Sequence, residues 1–137
     1  MASNSNEMKY SDTSGLPRDA KIGILGGGQL GRMLAIAGAP MGVRLKVIDP
    51  TEPSCPASIA AEQTIGSFRD KAAVMEFAKD CDVVTVEIEH IDCDALDELV
   101  KIGIDVQPTP KTLRTIQDKY AQKVHFRDNN VKIGPFM

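Results

Sequence analysis

Strand-like apolar runs alternate with helical patterns along this chain, and this alternation limits the possible folds more than any other feature. Strands are predicted at residues 21–25, 44–48, 82–86 and 104–107, with a shorter one at 63–65. Helical patterns lie between the longer strands and after the last of them. Such alternation is typical of strand–helix units whose strands pair in parallel. We therefore predict one α/β domain with a parallel sheet and helices on both faces.

The first predicted helix covers residues 29–39. Leu30, Met33, Leu34 and Ala37 recur in it at steps of three and four residues. This spacing predicts that the four side chains form the apolar face of an amphipathic helix.

Polar capping residues mark the starts of the later helices. Ser67 and Asp70 resemble a capping box, which predicts that a helix follows them. Asp92 is the predicted N-cap of the next helix. Thr109 is the predicted N-cap of a last helix, which is expected to continue without a break to Asn129.

Composition excludes several classes of function. The 137 residues suffice for one domain, and no run of 18 apolar residues could span a membrane. With a net charge of -3 and only 4% aromatic residues, the chain lacks the positive charge and the stacking surface that nucleic-acid binding needs. We therefore expect neither a membrane nor a nucleic-acid partner.

The cysteines and the amino-terminal residues bear on the compartment. Three cysteines without a C-x-x-C pair indicate free thiols in a reducing compartment, and Cys81 is predicted to be a buried small apolar residue. Residues 1–20 are rich in serine, lack apolar periodicity and are predicted to form a disordered leader. This leader lacks the apolar core of a secretory signal. We expect a cytoplasmic protein, with the plastid stroma as the alternative.

Three glycines form a turn that could hold a ligand. Gly26, Gly28 and Gly31 follow the first strand and precede the first helix in the spacing G-x-G-x-x-G. Glycine lets a ligand approach the backbone, and the N-terminus of the helix favours an anion or the polar edge of a ligand. The alternative is that the glycines only permit close packing of the strand and the helix.

Asp49 supports a rival interpretation. It lies 18 residues after Gly31 at the end of the second strand, close to the place of the acidic residue that binds ribose in dinucleotide-binding folds. On this interpretation the domain is an NAD(P)-binding module of an oxidoreductase. The alternative is that Asp49 caps the proline-rich loop after it by accepting backbone hydrogen bonds.

Two carboxylates follow the fourth predicted strand. Glu87 and Glu89 are two residues apart, so they would point the same way beside the glycine turn if the strand geometry continued. They could accept hydrogen bonds from an amine or from ribose hydroxyls, or they could be exposed loop charges. With His90 they could form a metal site, but three adjacent ligands in an extended segment do not converge easily. We therefore predict no metal site.

The last helix carries two basic candidates, Arg114 and Lys119, which are five residues apart and could simply be solvated charges. The sequence contains neither a nucleophile elbow nor a P-loop. We therefore predict no catalytic residue in this chain.

Three segments together resemble one family. The segments IGILGGGQLGRMLAIAGAPMGVRLKVIDP, VVTVEIEHI and QPTPKTLRTIQDKYAQKVHF are similar to the amino-terminal domain of the ATPase subunit of phosphoribosylaminoimidazole carboxylase, also called 5-(carboxyamino)imidazole ribonucleotide synthase. The resemblance covers residues 21–137. It implies a Rossmann-like pre-ATP-grasp domain at 21–128, with 129–137 as the start of an ATP-grasp domain.

The resemblance also implies a function. Members of this family use ATP, with Mg²⁺ present, to activate bicarbonate and to carboxylate aminoimidazole ribonucleotide in purine biosynthesis. The domain seen here would bind the ribonucleotide, while ATP and Mg²⁺ would be held mostly by the ATP-grasp domain, so this chain alone would be inactive. A homodimer and a fused or partner carboxylase domain are further expectations.

The site residues follow from the same resemblance. Gln29 and Leu30, with the backbone of Gly28, would contact the ribonucleotide together with Glu87, which Glu89 would support. By the same similarity Arg114 would reach toward ATP, and Lys119 would help. The alternatives to this function are the NAD(P)-binding module and a remnant domain that keeps the fold without the chemistry.

Overall fold

The computed structural model describes residues 19–135, which contain a five-stranded parallel sheet. The strands lie in the order β3-β2-β1-β4-β5. Each neighbouring pair is parallel, which confirms the predicted sheet. The strand bounds are Lys21–Leu25 (β1), Arg44–Asp49 (β2), Glu62–Ile65 (β3), Val83–Val86 (β4) and Asp105–Gln107 (β5).

Helices cover both faces of this sheet, as predicted. One face carries the larger apolar core, in which side chains such as Leu25, Val84 and Leu96 are fully buried. The other face carries a smaller core around Ile24 and Val47. The helix bounds are Gln29–Gly38 (α1), Lys71–Ala78 (α2), Cys93–Lys101 (α3), Pro110–Gln117 (α4) and Lys119–Asp128 (α5), with 3-10 turns at Ala39–Met41 and Pro56–Ile59.

The register of the three inner strands brings their carboxyl ends together. Leu25 of β1 is paired with Ile48 of β2 on one side and with Val86 of β4 on the other. The next residue after each of these partners is Asp49 at the end of β2 and Glu87 directly after β4. These two residues therefore lie on either side of the turn after β1. At this edge of an open parallel sheet, ligands usually bind.

The sheet-facing side of α1 differs from the prediction. The buried residues of α1 are Gly31, Ala35 and Gly38, whereas the large apolar side chains point outward. Leu30, Met33, Leu34 and Ile36 are 45–59% exposed. The predicted apolar face is therefore wrong.

Close packing explains this reversal. A Cβ at Gly31 would lie 2.9 Å from the backbone oxygen of Gly26, and one at Gly38 would lie 2.5 Å from the Leu45 side chain. The helix is so close to the turn and the sheet that only small residues fit between them. The helix itself ends at Gly38, one residue earlier than predicted, and continues as a 3-10 turn.

Two further helix predictions need correction. Asp70, not Ser67, is the N-cap of α2, because its carboxylate accepts a hydrogen bond from the Ala73 N–H. The last helix is broken at Asp118, whose extended backbone ends α4 and whose carboxylate caps α5. Asp92 and Thr109 cap α3 and α4 as predicted.

The predicted chain segments at both ends lie partly outside the described residues. Residues 1–18 of the predicted leader and residues 136–137 are not described. Ala20, assigned to the leader, is 1% exposed, and its carbonyl accepts a hydrogen bond from the Arg44 N–H. The packed domain therefore includes Ala20. None of the helices within residues 19–135 has the length and apolar character needed to cross a membrane.

Asp49 ties the glycine turn to the sheet. Its side chain is 7% exposed, and its two oxygens accept hydrogen bonds from the N–H groups of Gly27 at 2.8 Å and Thr51 at 2.9 Å. Burial alone would raise the pKa of Asp49, but the hydrogen bonds from Thr51 and Gly27 outweigh it and hold the pKa below its ordinary value. Asp49 therefore stays ionised and bridges two loops.

The corrected face of α1 can be tested with two substitutions on adjacent residues. Ala35→Leu should destabilise the protein by about 1–3 kcal/mol or more, because Ala35 is fully buried and the added side chain has no space. Leu34→Ala should change the free energy of unfolding by less than about 0.5 kcal/mol, because Leu34 is exposed. Urea unfolding measures both. A decrease of about 2 kcal/mol or more in the free energy of unfolding of Leu34→Ala would instead support the apolar face predicted from the sequence.

The bridge made by Asp49 should contribute stability in a defined pH range. In Asp49→Asn an NH2 group replaces one carboxylate oxygen and cannot accept the hydrogen bond from Gly27 or from Thr51. We therefore expect the free energy of unfolding to fall by about 1–3 kcal/mol at pH 7. Because the folded pKa is lowered, this contribution is complete above the unfolded pKa of about 3.9 and is lost as the pH falls through the folded value. Urea unfolding at several pH values measures the difference between the two proteins. It should shrink at the acidic end, and Asp128→Asn, an exposed control, should change stability little at any pH.

Candidate functional site

The glycine turn after β1 forms the floor of the candidate site. Gly26 adopts a φ of +100°, which disfavours other residues, and its N–H donates to the Ile48 carbonyl at 3.0 Å. The Gly27 N–H donates to Asp49, and Gly28 is the N-cap of α1. The turn is therefore held from the β2 side, and its opposite side faces Glu87.

Glu87 lies directly across this turn. A Cβ at Gly26 would lie 2.7 Å from Glu87 Oε2, and one at Gly28 would lie 2.8 Å from Glu87 Oε1. The carboxylate thus occupies the space that side chains at these two positions would need. The alternative in the sequence analysis expected these glycines to permit close packing of the strand and the helix, whereas at Gly26 and Gly28 the group that packs on them is a charged side chain.

The Glu87 carboxylate is half-buried, and within residues 19–135 no side chain or backbone N–H donates a hydrogen bond to it. Its backbone N–H donates to the Leu25 carbonyl at 3.0 Å, which ties the start of its loop to the end of β1. A half-buried carboxylate without a donor can accept hydrogen bonds from a ligand at little cost.

The N-terminus of α1 lies at the same turn and has no side-chain cap. Its N-cap residue, Gly28, has no side chain that could accept a hydrogen bond from the first N–H groups, and the first turn of α1 contains no acidic residue. Each of the other four α-helices is capped by a side chain. Among residues 19–135 the first N–H groups of α1 therefore remain available to donate hydrogen bonds to an oxygen atom of a ligand. Gln29 and Leu30 are exposed beside them.

Glu89 and His90 lie further along the same loop. Because β4 ends at Val86, the condition under which Glu87 and Glu89 would point the same way is not met. Glu89 Oε1 is 3.8 Å from His90 Nε2. A hydrogen bond from its own N–H and the nearby charges of His90 and Lys119 hold the pKa of Glu89 below its ordinary value. Its carboxylate therefore faces basic groups.

Arg114 and Lys119 lie on different helices, since Asp118 separates α4 from α5. Arg114 Nη2 is 2.6 Å from a carboxylate oxygen of each of Asp94 and Asp97 on α3. These hydrogen bonds, which Arg114 donates to Asp97 and Asp94, raise the pKa of Arg114 above its ordinary value, with the larger effect from Asp97. Arg114 thus joins α4 to α3, and of these two residues it is Lys119 whose charge helps to lower the pKa of Glu89.

Two side chains that the sequence analysis did not single out hold this loop. Gln117 Nε2 donates to the carbonyls of Glu89 at 2.7 Å and Ile91 at 2.9 Å, and Arg69 Nε donates to the carbonyl of His90 at 3.2 Å. Nothing in the local sequence indicated these long-range contacts.

Within the described part of the chain, the cysteines and the acidic residues give no further site. Burial raises the pKa of the Cys81 thiol to about 11, which agrees with the predicted apolar role of this residue. Across residues 19–135, no group of three or more His, Cys, Asp or Glu side chains could hold a metal ion. Glu87, Glu89 and His90 therefore do not converge on a metal.

Comparisons with known proteins agree with the resemblance found in the sequence. A family model described as the ribonucleotide synthetase preATP-grasp domain matches residues 19–117. The chloroplastic phosphoribosylaminoimidazole carboxylase of Vigna aconitifolia is 49% identical over 117 residues, which are 85% of this chain and 21% of that protein. The N5-carboxyaminoimidazole ribonucleotide synthase of Brucella melitensis is 35% identical over 126 residues, which are 91% of this chain and 34% of that protein.

A solved structure shows the same fold. The N5-carboxyaminoimidazole synthase of Aspergillus clavatus, in complex with ADP and 5-aminoimidazole ribonucleotide, is 41% identical, with a TM-score of 0.74. The match covers 82% of this chain and 30% of that chain. This chain thus spans about a fifth to a third of the length of these relatives. Since the family model matches most of it, the chain belongs to the ribonucleotide synthetase preATP-grasp domain family.

Proposed function

We propose that this chain is the ribonucleotide-binding domain of an ATP-dependent ligase that carboxylates 5-aminoimidazole ribonucleotide in purine biosynthesis. The observation that carries the proposal is the Glu87 carboxylate, which has no donor in the described part of the chain and lies against the uncapped start of α1. An acceptor and a set of N–H donors are thus adjacent at the sheet edge. The Aspergillus clavatus relative, whose complex contains ADP and 5-aminoimidazole ribonucleotide, supports the choice of ligand.

The two halves of this site suit different parts of such a ligand. Glu87 accepts hydrogen bonds from an amine or from ribose hydroxyls, and an ionised acceptor makes these bonds stronger than a neutral one would. The free N–H groups at Gly28, Gln29 and Leu30 donate to ligand oxygen atoms. Glu89 supports Glu87 as part of the same loop, and its carboxylate lies near the charges of His90 and Lys119. None of these groups is positioned as a nucleophile, so the domain binds and orients its substrate.

In this proposal ATP and Mg²⁺ are bound mostly by the part of the ligase outside this domain. Relatives solved with ATP or ADP support nucleotide binding by the family. Within residues 19–135 the acidic side chains do not form a magnesium site, so no step of the reaction is assigned to a metal held by this domain. We place the metal, the triphosphate and the activation of bicarbonate in an ATP-grasp domain that residues 129–137 would begin.

Of the two residues proposed to reach ATP, Lys119 is better placed than Arg114. Arg114 would have to leave two carboxylates at 2.6 Å to bind a phosphate. Lys119 begins α5, and its charge helps to lower the pKa of Glu89 on the loop that carries Glu87. We therefore assign the main ATP contact of this domain to Lys119 and a supporting role, through α3, to Arg114.

Partners and compartment are proposed from the relatives. The name of the Vigna aconitifolia relative, a chloroplastic carboxylase, supports a fused or partner carboxylase domain and the plastid alternative for this chain. A homodimer remains part of the proposal. The NAD(P)-binding alternative is disfavoured, because both oxygens of Asp49 are used inside the protein and the side chain is 7% exposed.

The assignment of Glu87 predicts a specific loss of ribonucleotide binding. Glu87→Ala should raise the dissociation constant for 5-aminoimidazole ribonucleotide by more than tenfold, or about 1.4 kcal/mol, because the ligand loses its charged acceptor. Titration calorimetry with this chain measures the constant, and thermal unfolding verifies that the variant is folded. Glu76→Ala, on the exposed side of α2, is the matched control and should bind like the wild type. Equal affinity in wild type and Glu87→Ala would contradict the assignment, and enhanced NADH fluorescence would favour the oxidoreductase alternative.

The order of the two basic residues is also testable. In the longer ligase that the proposal implies, Lys119→Met should raise the KM for ATP by about tenfold, because one charge contact to the nucleotide is lost. Arg114→Met should lower the melting temperature, because Asp94 and Asp97 lose their partner, and should change the KM for ATP less. Steady-state kinetics and thermal unfolding on both variants measure these effects. A larger KM effect from Arg114→Met would reverse the assignment.

A further inference from the structure

The loop that carries Glu87 has few backbone contacts of its own. It leaves β4 after Val86 and reaches α3 at Cys93 without regular structure. Its start is fixed by the hydrogen bond from the Glu87 N–H to Leu25. Beyond this point its internal hydrogen bond joins the Ile91 N–H to the Glu89 carbonyl at 2.9 Å. The loop therefore depends on side chains from other elements.

Gln117 supplies two of those contacts. Its Nε2 atom donates to the carbonyls of Glu89 and Ile91 at 2.7 and 2.9 Å, so both amide protons are used. Its Oε1 atom accepts from the Cys93 thiol at 3.5 Å. The amide can be oriented only one way here, because the two carbonyls need a donor and the thiol needs an acceptor. Gln117 thus joins the loop, the start of α3 and the end of α4 through one side chain.

The position of Gln117 in the chain adds a second link. Gln117 is the last residue of α4, and Asp118 after it caps α5, which begins at Lys119. The residue that fixes the Glu87–Ile91 loop therefore lies two residues from the base proposed to contact ATP. A shift of the α4–α5 junction would move both.

We propose that Gln117 is a positioning residue for ribonucleotide binding, which holds the Glu87–Ile91 loop so that the Glu87 carboxylate stays against the glycine turn. This inference rests on the proposed function. Gln117 does not touch the substrate. It acts through Glu87, which predicts that the two residues are energetically coupled.

The test is a double-mutant cycle on this chain with 5-aminoimidazole ribonucleotide as the probe. Gln117→Met keeps the length of the side chain but removes both donors, and it should raise the dissociation constant by at least about fivefold. In the Glu87→Ala background the same substitution should change the constant by less than about twofold. Gln122→Met, on α5, replaces a half-buried glutamine whose side chain makes no hydrogen bond among the described residues, and it should leave binding unchanged.

A second variant separates hydrogen bonding from packing. Gln117→Glu cannot donate when ionised, but the protonated acid can donate to one carbonyl. Relative to wild type at the same pH, its binding defect should be smaller at pH 5 than at pH 8, whereas the defect of Gln117→Met should be the same at both. Because each variant is compared with wild type at the same pH, the effects of pH on binding through Glu89, His90 and the ribonucleotide phosphate cancel.

The outcomes are distinct. If wild type fails to bind the ribonucleotide, both the proposed function and this inference fall. If wild type binds and Glu87→Ala weakens binding but Gln117→Met does not, only this inference is overturned. Additive effects of Glu87→Ala and Gln117→Met would also overturn it, because Gln117 would then not act through Glu87. Coupled effects together with pH-dependent recovery in Gln117→Glu would support it.

Discussion

The hydrogen bond from the Gly27 N–H to the buried carboxylate of Asp49 is the contact on which the geometry of the site depends. Strands β1 and β2 are in register up to Leu25 and Ile48, so the next side chain of β2 reaches the turn after β1 without any distortion. Burying a charge is costly unless it is hydrogen-bonded, and the N–H groups of Gly27 and Thr51 offset that cost. The end of one strand thus fixes the turn after another, and the turn fixes where α1 begins.

The small residues on one side of α1 have a consequence for the site. Because Gly31, Ala35 and Gly38 let the helix pack closely on the turn and the sheet, the N-terminus of α1 at Gly28 lies beside the Glu87 carboxylate. The same packing leaves the large apolar side chains of α1 on the outside. Close packing and an available helix N-terminus are therefore two results of one pattern of small residues.

The sequence predicted the elements of the fold well and their contacts less well. Parallel strands, their edge and the caps Asp92 and Thr109 follow from local patterns, which the structure confirms. The buried face of α1 was predicted wrongly because the prediction used the spacing of large apolar residues. Such a pattern does not count glycine and alanine as packing residues. The break at Asp118 was missed because apolar spacing continues across it. The contacts of Gln117 could not be predicted, because they join residues 26 and 28 positions apart in the chain.

Asp49 and Glu87 show why residue type and position at a strand end do not by themselves define a ligand contact. Both are acidic and lie at the carboxyl ends of the strands that flank β1, Asp49 as the last residue of β2 and Glu87 directly after β4. Asp49 is buried and has two N–H donors from the protein, so it has no remaining need for a ligand. Glu87 is half-buried, lies against Gly26 and Gly28, and receives no hydrogen bond from residues 19–135. A carboxylate that is held in place without a donor from these residues can accept hydrogen bonds from solvent or from a ligand, and the uncapped start of α1 lies at the same turn. The two acids at this edge therefore differ, since Asp49 builds the turn and the Glu87 carboxylate keeps its capacity to accept hydrogen bonds.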